Sequence, residues 1–257
     1  MRARIITGVG GVDKMLNGGI PEGNQVILAG GPGAGKTLFC FEMLYKNAKA
    51  GVNAALVSFD ESRKQLVMNA MDAFPEFADL NQLVDAGKIE VYDMESVEKA
   101  LSNHPEMNEE YVNVAVGERE RTLSAFFKQM EINLPKLLGK SQAKLIVIDN
   151  LTAVRNLIQN DYDYRNFVTN MSRILKGRGF TSLAIVDLAD PREESVSFGP
   201  EFFAFDGIIT MYYSLGAGKK VALMEVVKMR GTGHSHKAVP YEILPSGIKT
   251  LNVGMED

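Results

Sequence analysis

Gly30-Gly31-Pro32-Gly33-Ala34-Gly35-Lys36-Thr37 follows the pattern G-x-x-x-x-G-K-[ST]. The pattern can cradle phosphate. Glycines let the backbone curl so that successive N–H groups point inward, and the helix that should begin at Lys36 presents the positive end of its dipole. Lys36 would place a point charge on the terminal phosphates, and the Thr37 hydroxyl could ligate a magnesium ion. A Gly-rich strand-to-helix turn without a ligand is the competing reading. The apolar run before the motif and the helical spacing after it favour the phosphate site.

Phosphate chemistry with magnesium needs a carboxylate at the end of a buried strand. Asp149 meets that requirement, following the apolar run Leu145-Ile146-Val147-Ile148; alone it could equally be a loop or capping residue. Splitting a phosphate ester with water also needs a carboxylate to orient the water. Asp60 and Glu61 close the second predicted strand, expected to lie beside the strand that feeds the Gly-rich loop. Asp60 could cap a helix starting at Glu61, leaving Glu61 to face the phosphate. Late in the chain Lys228 and Arg230 stand two apart on a predicted strand, so both should point to one face, with Val227 and Met229 on the other. Two such cations are either solvated or aimed at an anion. His234 and His236 are also two apart, but no third ligand accompanies them, and structural zinc needs four.

These residues must be held by strands and helices in alternation. Strands are expected over 24–29, 53–59, 88–92, 144–148 and 180–186, and helices over 36–50, 61–73, 118–138 and 161–176. The near-continuous apolar strands suit a parallel sheet covered on both faces. After residue 205 the rhythm changes. Strands over 206–213, 220–230, 239–244 and 248–253 follow one another without helices, predicting an antiparallel extension. The fold class is therefore α/β, with a mostly parallel central sheet, helices on both faces and a C-terminal antiparallel strand extension. One domain over 1–257 is expected. It carries an irregular insertion at about 93–120, which holds eight acids against two bases and reads either as solvated surface or as a docking lid.

The 257 residues carry 28 Lys+Arg against 32 Asp+Glu, a net charge of −4, which gives no general field for nucleic acid. No apolar run reaches the roughly 20 residues of a membrane span. The single cysteine, Cys40, and the lack of a visible secretory signal fit a cytoplasmic protein.

The sequence resembles the KaiC-type branch of the RecA superfamily of ATPases, in single-domain form and related to RadA paralogues. Four segments carry the likeness: Thr7 through Pro21 as a lead-in, the Gly-rich loop, Phe59-Asp60-Glu61-Ser62, and Lys228-Met229-Arg230-Gly231-Thr232-Gly233-His234. The resemblance implies a RecA-like P-loop fold, with ATP and Mg²⁺ as cofactors. It implies nucleotide contacts from Gly31, Pro32, Gly33, Ala34, Gly35, Lys36, Thr37 and Leu38. Metal contacts would come from Thr37 and Asp149, and catalytic roles would fall to Glu61, Asp60, Lys36, Lys228 and Arg230. It also implies a homo-oligomeric ring, usually a hexamer. In such a ring Lys228, Met229, Arg230, Thr232 and His234 would approach the neighbour's nucleotide. The family's first acid is typically Glu, so Asp60 implies slow turnover. Phe202-Phe203 stands where the phosphorylated relatives carry Ser-Thr, which argues against self-phosphorylation.

The expected activity is Mg²⁺-dependent ATP hydrolysis by a ring, with an unknown protein client. The alternatives are an ATP-gated assembly or signalling switch with little hydrolysis, and a recombinase accessory on DNA. The last is opposed by the net charge and by the acidic candidate loop over 189–195.

Overall fold

The computed structural model describes residues 2–96, 138, 142–158, 160–189, 199, 201–216 and 219–251. Most of the acidic stretch at 93–120, the helix expected over 118–138 apart from Leu138, the loop at 190–195 and residues 252–253 lie outside the described residues.

In chain order the elements are β1 (Arg4–Ile5), α1 (Val12–Met15), β2 (Ile20–Pro21), β3 (Gln25–Gly30), α2 (Lys36–Lys49), β4 (Ala54–Ser58), α3 (Arg63–Ala73), α4 (Leu80–Asp85) and β5 (Ile89–Tyr92). They continue as β6 (Leu145–Asp149), α5 (Leu151–Leu157), α6 (Asp161–Gly177), β7 (Thr181–Asp187), α7 (Glu201–Ala204), β8 (Gly207–Gly216), β9 (Lys219–Met229), β10 (Val239–Leu244) and β11 (Gly247–Thr250). Among the described residues the main sheet has nine strands in the order β11-β10-β9-β8-β3-β7-β6-β4-β5. From β5 to β8 neighbouring strands run parallel, and β9, β10 and β11 add on antiparallel. The α/β architecture with an antiparallel extension is the expected one.

Alternation along the strands sends side chains to two cores. Val26 and Leu28 of β3, with Leu183 and Ile185 of β7, face the helices α2, α3 and α4 through Phe39, Met43, Leu66 and Leu80. Ile27 and Ala29, with Ala184 and Val186, face α5 and α6 through Val154, Phe167, Met171 and Leu175. Phe39 and Phe41 are fully buried; each such side chain stabilises the fold by about 1.5–3 kcal/mol.

Three expectations need correction. First, β4 does not lie beside β3: β7 and β6 stand between them. Strand order depends on long-range crossovers that local pattern does not encode. Second, the helix after β4 starts at Arg63, not Glu61. Its cap is Ser62, whose side chain accepts from the Gln65 amide at 3.3 Å, rather than Asp60. Third, the β8–β9 register slips between Ile208 and Ile209, pairing Ile208 with Lys228 but Ile209 with Val226. Val227 is the extra residue of this bulge and packs against the α6-side core, whereas Met229 is buried in the α2-side core. Val227 and Met229 therefore take opposite faces, because a bulge shifts the period-2 alternation by one.

Candidate nucleotide site

β3 delivers the Gly-rich loop to the C-terminal edge of the parallel strands, where open α/β sheets bind ligands. Glycine is required twice, at Gly30 for space and at Gly35 for its left-handed backbone. A Cβ on Gly30 would stand 2.4 Å from the Met211 carbonyl oxygen of β8. Gly35 sits at φ +88°, with a would-be Cβ 2.6 Å from Ile243 Cδ1. Gly35 is also the N-cap of α2 and offers no side-chain cap. The first amides of α2 thus keep donor capacity for an anion. Two loop carbonyls are drawn the other way by hydroxyls: Tyr213 donates to Gly33 O at 2.8 Å, and Tyr241 donates to Ala34 O at 2.6 Å. Pattern reading missed both tyrosines: Tyr213 reaches the loop from β8, the parallel neighbour of β3, and Tyr241 from β10 of the antiparallel extension.

Lys36 is buried, and its ammonium donates to Gly30 O at 2.9 Å and Gly31 O at 3.0 Å and pairs with Asp187 Oδ1 at 2.9 Å. Thr37 Oγ1 donates to Asp149 Oδ2 at 3.0 Å. The Asp149 carboxyl is pushed up to about 7, first by burial and then by the Asp60 charge, while the Thr37 hydrogen bond pulls it down. A hydroxyl beside a carboxylate is a hard oxygen pair that suits magnesium, and a cation there would relieve the crowding of negative charge on Asp149. The donor set therefore fits the ion. Among the described residues no three His, Cys, Asp or Glu side chains converge on a metal position. Magnesium at Thr37 and Asp149 would draw its other ligands from phosphate oxygens and water.

Asn150 joins the remaining acids. Its amide donates to Asp60 Oδ2 at 2.9 Å and Asp187 Oδ2 at 3.1 Å, and its oxygen caps α5 by accepting from the Ala153 amide at 2.7 Å. Asp60 lies at the exposed rim, its carboxyl raised by partial desolvation and by the Asp187 charge. Glu61 turns toward α3 and accepts from Asn69 Nδ2 at 3.2 Å. Its charge still acts on Asp149. Pro32 and Gly33 are exposed, whereas Leu38 is partly buried against the α2-side core. Asp187 and Asn150 carried a legible signal, since each ends or follows an apolar strand as Asp149 does.

The late segment lies elsewhere. Gly30, the last residue of β3, pairs with Met211 midway along β8, whereas Met229 pairs with Gly207 at the start of β8. Ile208, the partner of Lys228, stands three residues before Met211, which puts Lys228 roughly 10 Å along the sheet from the end of β3 in the same chain, with Arg230 farther still. Lys228 Nζ donates to Phe205 O at 2.7 Å, and its pKa is lowered by burial and by Arg230. Arg230 is 61% exposed and stands 3.8 Å from Asp206 Oδ1. Asp206 is buried, and Lys176 holds both its oxygens at 2.7 and 2.8 Å. The Met229 side chain is in the core, which leaves its backbone for any ligand. Thr232 Oγ1 accepts from Arg4 at 2.8 Å, and the His234 ring lies 4.5 Å from that of His236. The structure brings Lys36, Thr37, Asp60, Glu61 and Asp149 to one edge, and Lys228, Arg230, Thr232 and His234 to the other end.

The profile of the KaiC ATPase family matches residues 5–254. A UPF0273 protein of Thermotoga maritima is 31% identical over 248 residues, covering 96% of this chain and 96% of that protein. The circadian clock oscillator protein KaiC of Acaryochloris marina is 28% identical over 253 residues, which is 98% of this chain but 44% of that protein. The chain thus spans less than half the length of that clock protein. Among solved structures, a KaiC-like protein from Pyrococcus horikoshii shares the fold with a TM-score of 0.72 at 24% identity, covering 98% of this chain and 100% of that one. ATP binding and hydrolysis are the chemistry of the matched family, and the loop, Thr37 and Asp149 are arranged to suit it. With the family profile running from residue 5 to residue 254, the chain belongs to the KaiC family of ATPases.

Proposed function

We propose that the protein is a magnesium-dependent ATPase that works in the cytoplasm as a homo-oligomeric ring, of six copies by analogy, with each site completed by its neighbour. One observation carries the reading: Lys228 and the exposed Arg230 sit at the opposite end of the sheet from the loop of their own chain, so only a second copy could bring them to the phosphates. Gly31 to Leu38 would cradle the nucleotide, with Lys36 on the terminal phosphates. Thr37 and Asp149 would hold magnesium, which supplies charge neutralisation on the phosphate oxygens when bound. Asp60 and Glu61 are the rim carboxylates available to take a proton as water attacks the γ-phosphorus, the bond to the ADP oxygen breaks and inorganic phosphate leaves. Lys228 and Arg230 of the neighbour would offset the charge that develops.

Mixing two inactive variants tests this. Lys36→Ala and Arg230→Ala each lose phosphate release. When they are co-assembled, random neighbours restore about a quarter of normal sites, because half the loops and half the arginines are intact. No recovery in mixed assemblies overturns the shared site. A second reading, the nucleotide-gated switch, is favoured by one contact: Glu61 is engaged by Asn69 rather than by the Asp60–Asn150–Asp187 group. In that case ATP changes the oligomer mass while free phosphate stays near background.

A further inference from the structure

Asp187 closes β7, the strand that pairs with β3, and its Cα lies opposite Gly30. Its carboxylate is held on both oxygens, by Lys36 at 2.9 Å and by Asn150 at 3.1 Å. An ammonium has three donors, and the other two of Lys36 go to Gly30 O and Gly31 O. A phosphate that recruits Lys36 must therefore take over a donor already in use. The two carbonyls belong to the loop backbone and stay with it. Asp187 is the anionic partner, and its side chain is 40% exposed against 8% for Lys36, so it has solvent into which it can turn.

We propose that Asp187 is a displaceable counter-ion of the loop lysine, an internal competitor for the terminal phosphates that sets nucleotide affinity. This rests on the nucleotide-binding reading above and adds a regulator to the same site. The competition is one of like charge. A di- or triphosphate entering beside Lys36 meets the Asp187 carboxylate, with Asp149 and Asp60 close behind. Binding must break the Lys36–Asp187 pair and leave the carboxylate near new negative charge. Removing that charge should tighten binding, and the gain should depend on the phosphates that touch Lys36. Adenosine monophosphate gains nothing, whereas ADP and ATP gain about tenfold, the scale of one charge-assisted contact.

The experiment measures binding of AMP, ADP and ATP by equilibrium dialysis with EDTA present, for wild type and for Asp187→Asn, Asp187→Glu and Lys36→Ala. Circular dichroism confirms folding in each case. The proposal expects tighter ADP and ATP binding in Asp187→Asn, unchanged AMP binding, and near wild-type values in Asp187→Glu, which restores the charge. Equal or weaker ADP and ATP binding in a folded Asp187→Asn protein overturns it, as does a gain of equal size for AMP. If Asp187→Asn does not fold, Asp187→Ser supplies the neutral side chain for the same comparison. If wild type binds ATP no better than Lys36→Ala, with or without magnesium, the nucleotide-binding reading itself falls. That failure is distinct from one confined to Asp187.

Discussion

Replacing Glu42 with Gln should make the protein more stable in alkali while leaving it nearly unchanged in mild acid. Glu42 lies on α2, is buried, and reaches across to the β10–β11 hairpin, where it accepts from the Ile248 amide at 2.6 Å. A Cβ on Gly247 would stand 2.3 Å from Glu42 Oε1, so the carboxyl is packed against that turn. Burial pushes its pKa from an ordinary 4.5 up to about 7, against the opposing pull of the Ile248 amide and the Lys46 charge. The folded state thus holds the proton more tightly than the unfolded chain. Between about pH 4.5 and pH 7 the native protein binds more protons, so stability falls as pH rises through that window. Each pH unit is worth about 1.4 kcal/mol, which makes the whole interval worth ~3 kcal/mol. Glutamine keeps an acceptor for Ile248 and does not titrate. Urea unfolding of wild type and Glu42→Gln at pH 5 and pH 8.5 reads the effect. The variant should gain up to ~3 kcal/mol relative to wild type between the two conditions, because other titrating groups are common to both and cancel. A difference that is the same at both pH values, or larger at pH 5, refutes the buried-carboxyl argument.

Tyr241→Phe removes the hydroxyl that donates to Ala34 O at 2.6 Å and leaves a buried loop carbonyl without that partner. A loss of about 1–3 kcal/mol in urea unfolding is expected, together with weaker ATP binding by titration, since the loop loses an anchor. Asn150→Ala deletes the α5 cap and the amide shared by Asp60 and Asp187. The cap alone is worth ~1 kcal/mol. The melting temperature should fall by at least about 2–4 °C, and an unchanged thermal scan would contradict the assigned contacts.

The Gly-rich loop and Asp149 were legible because their signals are local: glycine at fixed offsets, and an acid at the end of an apolar strand. Asp187 carries the same local signal as Asp149, yet its role at Lys36 was missed, because that role requires knowing that β7 is the neighbour of β3. Placing β4 there directed attention to Asp60 and Glu61 instead. The Val227 bulge was equally hidden, since a bulge is defined by register against a partner strand and not by one strand's own pattern. Tyr213, Tyr241 and Glu42 are ordinary core-facing or helical residues in sequence. Tyr213 gains its meaning from β8 lying beside β3, and Tyr241 and Glu42 gain theirs where the antiparallel extension folds back along α2 and the loop.

That fold-back has a consequence for the order in which the protein is made. Tyr241 and Ile248 meet Ala34 and Glu42 across 207 and 206 residues of chain. At about 5–20 residues per second, a ribosome needs roughly 10–40 s to travel that distance. During that interval the Gly-rich loop and its helix exist without the hydroxyl and the hairpin amide that later fix them. The phosphate cradle is therefore synthesised well before the contacts that fix it, and it takes its final shape only on chains whose synthesis has passed the hairpin.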